Sequence, residues 1–472
     1  MNQNTSVFLN GSIAKALTKL AIPIILINIL QSAYQLTDAF WVGRLGAAQV
    51  AAVSVSMPVT FLVIAIGSGL AMAGAILSAQ YMGAGQQEKV NHVAGQTMLM
   101  VTITASVLGL IGYTLSPYFL TLLGVDEIVY NDALKFMHVS FIGVVFVFIY
   151  AMFQALMRGI GQTKVPLIIV SCTVLLNFVL DPLFIFGFGD FKGYGVMGAA
   201  LATLVTQSLA ALTGVIIFMR GRHGIQLSLS SFMPDLAYIK QAFIIGAPGS
   251  VELSTRAFGL IIMSFLVASF DTQTIAAYGV GSNVLQMIMI PAMGLSMAVS
   301  TLVGQNMGAG NIKRAAQITK LAVVWGLIGL TVIGVLAYIF AATLVAFFIP
   351  DDPDVINKGA HFIRVMSLTW GGIGVQLCVV AAFRASGNML NAMLLALFSQ
   401  CVVQFPVAYI LSKHTPLGDH GIWYSFAVTN IAVAVLSYVW FCNGRWQRTR
   451  LTKEDKNIAK VTQEAFIEEG SH

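Results

Sequence analysis

The sequence predicts an all-α polytopic membrane protein: twelve transmembrane helices in two six-helix lobes, with pseudo-two-fold symmetry along the membrane normal. Three observations predict it. The 472 residues are 57% hydrophobic and only 9% charged, whereas a soluble domain carries about 25% charged residues. The charges also cluster, with none between Arg44 and Glu88, Lys192 and Arg220, or Asp271 and Lys313. Each gap exceeds the roughly 20 residues that a helix needs to cross a bilayer core. Finally, residues 51–85 laid without a gap on 276–310 match at 14 of 35 positions.

Apolar runs separated by charged or Gly/Pro/Asn-rich breaks place the spans at 15–40, 51–80, 93–118, 134–157, 165–188, 195–219, 242–269, 275–304, 317–347, 361–384, 389–412 and 421–442. They divide the chain into an N-lobe over 1–222, a linker over 223–240, a C-lobe over 241–444 and a basic tail over 445–472 that is expected to be mobile. With both termini on one side, that side holds eighteen Lys and Arg residues against six on the other. By the positive-inside rule the termini are then cytoplasmic, which suits a prokaryotic inner membrane. The positive charge follows topology and calls for no nucleic acid, and nothing implies an obligatory protein partner beyond the bilayer.

Cys172, Cys378, Cys401 and Cys442 lie in or beside apolar runs with no paired spacing, which reads as small buried hydrophobes rather than disulfides or metal ligands. The seven histidines form no metal-ligand pattern. The start is too polar before its first apolar run to read as a cleaved signal peptide. No nucleophile–base or metal constellation falls at matching depth, so the expectation is a transporter and not an enzyme, with no cofactor.

The repeat is clearest in GLAMA (69–73) against GLSMA (294–298) and QYMGAG (80–85) against QNMGAG (305–310), an offset of 225 at which Pro23 also meets Pro248. Arg158 and Gly161 match Arg384 and Gly387 with one residue of slip. Six helices per unit is an even number, so both copies enter from the same side and the repeat is parallel. Two such bundles facing a shared cleft suit alternating access.

Three carboxylates fall inside spans: Asp38, Asp181 and Glu252. Each is costly there, by about 2.5 kcal/mol or more at a helix centre, and needs a reason. Glu252 has Arg256 four residues on, the favourable orientation for a helical ion pair. Asp38 and Asp181 have no basic residue within a turn. Counted from the ends of their spans they lie roughly 10 and 13 Å deep, at similar depth on two helices of the first lobe. Asn177 is one turn before Asp181, and Gln31 shares a face with Asp38. Pro182 frees a backbone acceptor nearby. These oxygens can hold Na⁺ at Asp181, Asn177 and Asp38; desolvated, the same carboxylates can instead carry protons. At the repeat offset the second lobe has Met263 or Ser264 opposite Asp38, and Pro406 or Val407 opposite Asp181, so this chemistry is expected in one copy only. Pro23 and Pro182 are candidate helix-bending points. Gln31, Tyr34, Thr203, Glu252 and Arg256 are candidate cavity residues.

The twelve spans in two similar halves, LAIPIILINILQSAYQLTDAFWVGRLG in the first span, the GLxMA…QxMGAG block in both halves and RGxGQTK after the fourth span together resemble the multidrug and toxic compound extrusion transporters. The likeness runs along essentially the whole chain. NFVLDPLFIFG resembles the DinF-type and archaeal branch, and carrying over by position, Asp38, Asn177 and Asp181 match that branch's cation-responsive cluster. Gln31 and Thr203 match its polar cavity lining. The resemblance implies secondary active efflux of amphipathic, often cationic drugs in exchange for H⁺ or Na⁺. It departs from the NorM-type branch, because the tenth span contains no acid and Glu252 is its one second-lobe match. The alternative is a flippase or exporter of a lipid-linked or other specific substrate. That reading expects a cavity lined with Arg and Lys, for which the sequence offers only Arg256.

Overall fold

A computed structural model describes residues 3–350 and 352–452. Among them, eleven helices are long and apolar enough to cross a membrane, and a pair bent by 49° completes a twelfth span. Most of these helices are apolar on every side, as lipid and a helical partner together require.

After a short helix α1 (Gln3–Asn10), the first lobe contains α2 (Ile13–Gly43), α3 (Ala47–Gly83), α4 (Gln87–Leu122), α5 (Glu127–Gly159), α6 (Lys164–Phe186) and α7 (Val196–Arg220). A small hairpin of β1 (Gly187–Phe188) and β2 (Phe191–Lys192), with Gly187 paired to Lys192, joins α6 to α7. The second lobe begins with α8 (Leu236–Ala268), α9 (Thr272–Gly308) and α10 (Ile312–Ile339), continued by the short α11 (Ala341–Phe348). The bent span is α12 (Pro353–Ser367) with α13 (Trp370–Ala385). Then α14 (Met389–Leu397), a π-helical turn at Phe398–Gln404 and α15 (Phe405–Lys413) form one span, and α16 (Asp419–Cys442) the last.

The repeat is visible in its turns. Gly85 and Gly310, the last residues of the two QxMGAG copies, have φ of 73° and 77°. That left-handed region closes a helix at no steric cost only for glycine.

The first helix of each lobe leans on the other lobe. The first half of α2 (Leu17, Leu20, Ile24) is buried against Leu302 of α9 and Val379 of α13, whereas Val42 near its end packs with Ile185 and Ala199 of its own lobe. Likewise Tyr238, Ala242 and Ile245 of α8 join the first lobe's core, and Met263 joins the second lobe's. Pro23 and Pro248 lie beside these changeovers.

Several expectations are corrected. Helices α2 and α6 run through Pro23 and Pro182 without a break, since neighbouring groups in a membrane helix can take over the one freed acceptor. The break falls instead in the tenth span, between Ser367 and Trp370, where the Thr369 hydroxyl accepts a hydrogen bond from Asn430 of α16 at 3.0 Å. The span placed at 317–347 is divided at Phe340, and that placed at 165–188 ends at Phe186. The start of the tail is not free. Trp446 is buried, Arg450 donates to the Gly308 carbonyl at 2.5 Å, and the Leu451 amide donates to Gln80 at 2.9 Å. The rest of the expected mobile tail, 453–472, lies outside the described residues.

Candidate functional site

Two cavities flank the middle of α2. One, of about 530 Å³, lies within the first lobe between α2, α3, α5, α6 and α7, and Tyr34, Asp38 and Thr203 line it. The other, of about 520 Å³, lies between the lobes and is lined from α2, α3, α5, α8, α9 and α13. Gln31 and Gln154 line both. Gln31 donates to the Gln154 amide oxygen at 3.1 Å, so this bond stands in the wall between the two spaces.

The first-lobe cavity brings the sequence-selected acids together. Asn177 Nδ2 donates to Asp181 Oδ1 at 3.0 Å, as one helical turn of spacing requires, and both residues are fully buried. Asp38, on α2, lies close enough to interact with both Asp181 and Asn177. Its Oδ2 accepts from the Thr203 hydroxyl at 3.4 Å. Tyr34 shares a 2.6 Å hydrogen bond with Thr206, one turn along α7 from Thr203.

What remains unpaired defines the chemistry. Asp38 Oδ1, Asp181 Oδ2 and Asn177 Oδ1 are buried and have no hydrogen-bond partner. Buried polar atoms are nearly always satisfied, and three acceptors in one place lack only a donor or a cation. A proton between the two carboxyl groups supplies the first; Na⁺, which takes hard oxygen ligands, supplies the second. Among the described residues, no group of three or more His, Cys, Asp or Glu side chains is placed to hold a metal ion. The two carboxylates and the amide of Asp38, Asp181 and Asn177 thus form a buried set of oxygens with unused acceptors.

Glu252 is a correction. Arg256 does reach it, at 3.4 Å, but Arg384 on α13 is the closer partner. Arg384 Nε donates to Glu252 Oε2 at 3.0 Å and its Nη2 to Oε1. The pair expected within one helix is thus a triad across two helices, wholly buried at the carboxylate. Nor is Arg256 alone in the central cavity: Arg158 and Arg384, which sequence reading assigns to span ends, line it too. The signal that points to them is in the repeat, where the two arginines occupy matching places.

The lobes meet at the end of α3 and α9 nearest the chain termini. Gln80 Nε2 donates to the Ala385 carbonyl of the second lobe at 2.7 Å, and its repeat mate Gln305 donates to the Gly159 carbonyl of the first at 2.9 Å. Gly83 lies so close to the Gln305 backbone, and Gly308 to that of Gln80, that a Cβ on either would overlap a carbonyl oxygen. The repeated QxMG block thus fastens the two lobes together, an interlobe seal at the terminal end of the molecule.

The MatE family matches residues 23–183 and 248–410, one segment in each repeat. A probable multidrug resistance protein, YoeA of Bacillus subtilis (strain 168), is 27% identical over 448 residues, which cover 94% of this chain and 96% of that one. The probable multidrug resistance protein NorM of Thermotoga maritima is also 27% identical over 448 residues, covering 94% of this chain and 95% of that one. In fold, the chain superimposes on an outward-facing multidrug resistance MATE family transporter with a TM-score of 0.87 at 22% identity, over 96% of this chain and 100% of that one. With a match in each of its halves, this chain belongs to the MatE family of integral membrane transporters.

Proposed function

We propose that the protein is a secondary active efflux antiporter that exports amphipathic, often cationic compounds in exchange for H⁺ or Na⁺ by alternating access. The observation that carries this reading is the set of three buried, unpartnered oxygens on Asp38, Asp181 and Asn177. The names of the similar multidrug resistance proteins support the substrate class.

In this reading the first-lobe cavity binds both the coupling cation and the compound, on the Asp38 side of the Gln31–Gln154 wall. Filling the cation site draws Asp38 on α2 toward Asp181 on α6 and changes how α2 fits against α7. Compound and cation then stabilise different arrangements of the first lobe, which is all that coupling requires. Release of the cation to the terminal side resets the site. The termini face the cytoplasm, and the membrane is a prokaryotic inner membrane.

The test uses protein reconstituted in vesicles, with a pH gradient or a Na⁺ gradient imposed separately and efflux of a fluorescent organic cation followed. Wild type is expected to respond, and Asp181→Asn to lose gradient-driven efflux at least tenfold while still binding the dye. A mutant that exports like wild type would sink the assignment. Whichever gradient drives wild type identifies the coupling ion.

A further inference from the structure

The central cavity carries charge of the wrong sign for a cationic compound. Arg158 near the end of α5, Arg256 on α8 and Arg384 near the end of α13 all line it, and no Asp or Glu does. The carboxylate that meets them is Glu252, fully buried behind the wall, and both of its oxygens are already taken by Arg256 and Arg384. Asp38 faces the other cavity, and Asp181 is buried beside it. The Arg158 guanidinium makes no hydrogen bond or ion pair among the described residues. Three positive charges therefore face one negative charge, and one guanidinium is wholly uncommitted.

A guanidinium in a low-dielectric wall without an anion is expensive, and its forked N–H groups fit a phosphate in bidentate fashion. The rest of the wall is apolar and adaptable, with Met72, Met289, Met293 and Met297 beside Ile24 and Leu253. Methionine fills irregular contacts with varied ligands. We propose that the central cavity is a binding site for an amphipathic phosphate monoester, whose head bridges Arg158 of the first lobe and the Arg256–Arg384 pair of the second, and whose apolar body lies along the methionines.

The placement of the arginines gives such a ligand a mechanical effect. The residues that follow them, Gly159 and Ala385, supply the carbonyls that accept from Gln305 and Gln80 in the seal. An anion held by both lobes at this point favours the sealed arrangement. None of this needs the cation site or a gradient, so the anion site and the antiport reading stand or fall separately.

The test is calorimetric titration of purified protein, in a non-ionic detergent, with dodecyl phosphate, inorganic phosphate and dodecyltrimethylammonium. Dodecyl phosphate is expected to bind and inorganic phosphate to compete weakly. Arg158→Gln should weaken dodecyl phosphate about tenfold, the loss of one charge-assisted contact; Arg158→Lys should recover most of it, and Asp181→Asn should leave it unchanged. Because the Arg158 guanidinium has no partner among the described residues, its removal orphans no buried group, and an unchanged melting temperature for Arg158→Gln checks that it folds. Displacement of dodecyl phosphate by phosphatidic acid in nanodiscs assigns the ligand to the bilayer, and failure to displace assigns it to a soluble source; either sustains the site. Equal affinity of wild type and Arg158→Gln for dodecyl phosphate overturns it, as does equally strong competition by dodecyltrimethylammonium.

Discussion

Glu252 receives three guanidinium hydrogen bonds from Arg256 and Arg384 while fully buried. Taking away the carboxylate leaves two cations facing each other, whereas taking away Arg256 leaves an intact Arg384–Glu252 pair. Breaking a buried pair costs about 3–5 kcal/mol when it strands a charge. Glu252→Ala should therefore lower thermal stability in detergent by that order, and Arg256→Ala by clearly less; equal losses would show that Arg256 is as important a partner as Arg384. The same contrast explains what could be read in advance. Asn177 and Asp181 are one turn apart, so their hydrogen bond follows from spacing, and Asp38 joins them because depth along two helices can be counted. Arg384 is 132 residues from Glu252, a contact that only tertiary packing creates. Arg158 and Arg384 were visible as repeat mates, but their position at span ends made them look like topology charges.

At the start of α9, Asp271 caps the helix: the Thr274 amide donates to its Oδ1 at 2.6 Å, and Lys358 on α12 donates to its Oδ2 at 2.6 Å. The Lys358 ammonium, followed by the Thr274 hydrogen bonds, holds the Asp271 carboxyl down from its ordinary 3.8 to about 2. A folded value below the unfolded one means that the stabilisation is complete above about pH 4 and fades as pH falls toward 2. Hydrogen exchange at the α9 N-terminus, taken relative to the intrinsic amide rate at each pH, should accordingly rise over that window. Asp271→Asn keeps the cap acceptor and loses the charge, so its exchange should be flat there; a wild-type curve that the mutant retains would exclude this carboxyl as the cause. Helices as elements were legible, since long charge-free runs leave little else for a chain to do. Their interruptions were not. The tenth span breaks without a proline, where Thr369 is held by Asn430, and the eleventh turns π-helical where Gln400 fills the space at Gly259 and Gln404 donates to Ser425 at 3.1 Å. Each depends on a partner in another helix, which periodicity within one segment cannot reveal.

Across the whole molecule, the duplicated GLxMA…QxMGAG block announced two lobes but not that each copy would be spent on fastening the other. Gln80 and Gln305 cross between lobes as a pseudo-symmetric pair, and Gly83 and Gly308 let the two backbones touch. Opening the central cavity toward the terminal side has to break both amide bonds, and each buried hydrogen bond is worth about 1 kcal/mol, so each bond lost should raise the open population roughly fivefold. The pair is not equivalent, however. Gln80 Oε1 also accepts from the Leu451 amide at 2.9 Å, whereas Gln305 Oε1 is buried without a partner. Gln80→Ala gives up two bonds and releases the start of the tail; Gln305→Ala gives up one and relieves an unsatisfied oxygen. Amide exchange measured over 76–83 and 301–308 should therefore accelerate more in Gln80→Ala than in Gln305→Ala, and most in the double variant. Gly308→Ala, which sets a methyl group into the Gln80 carbonyl, should exceed either single change, because it prevents the contact instead of weakening it. Exchange that is unchanged in the double variant would mean that the lobes are held together elsewhere, through the crossed first halves of α2 and α8.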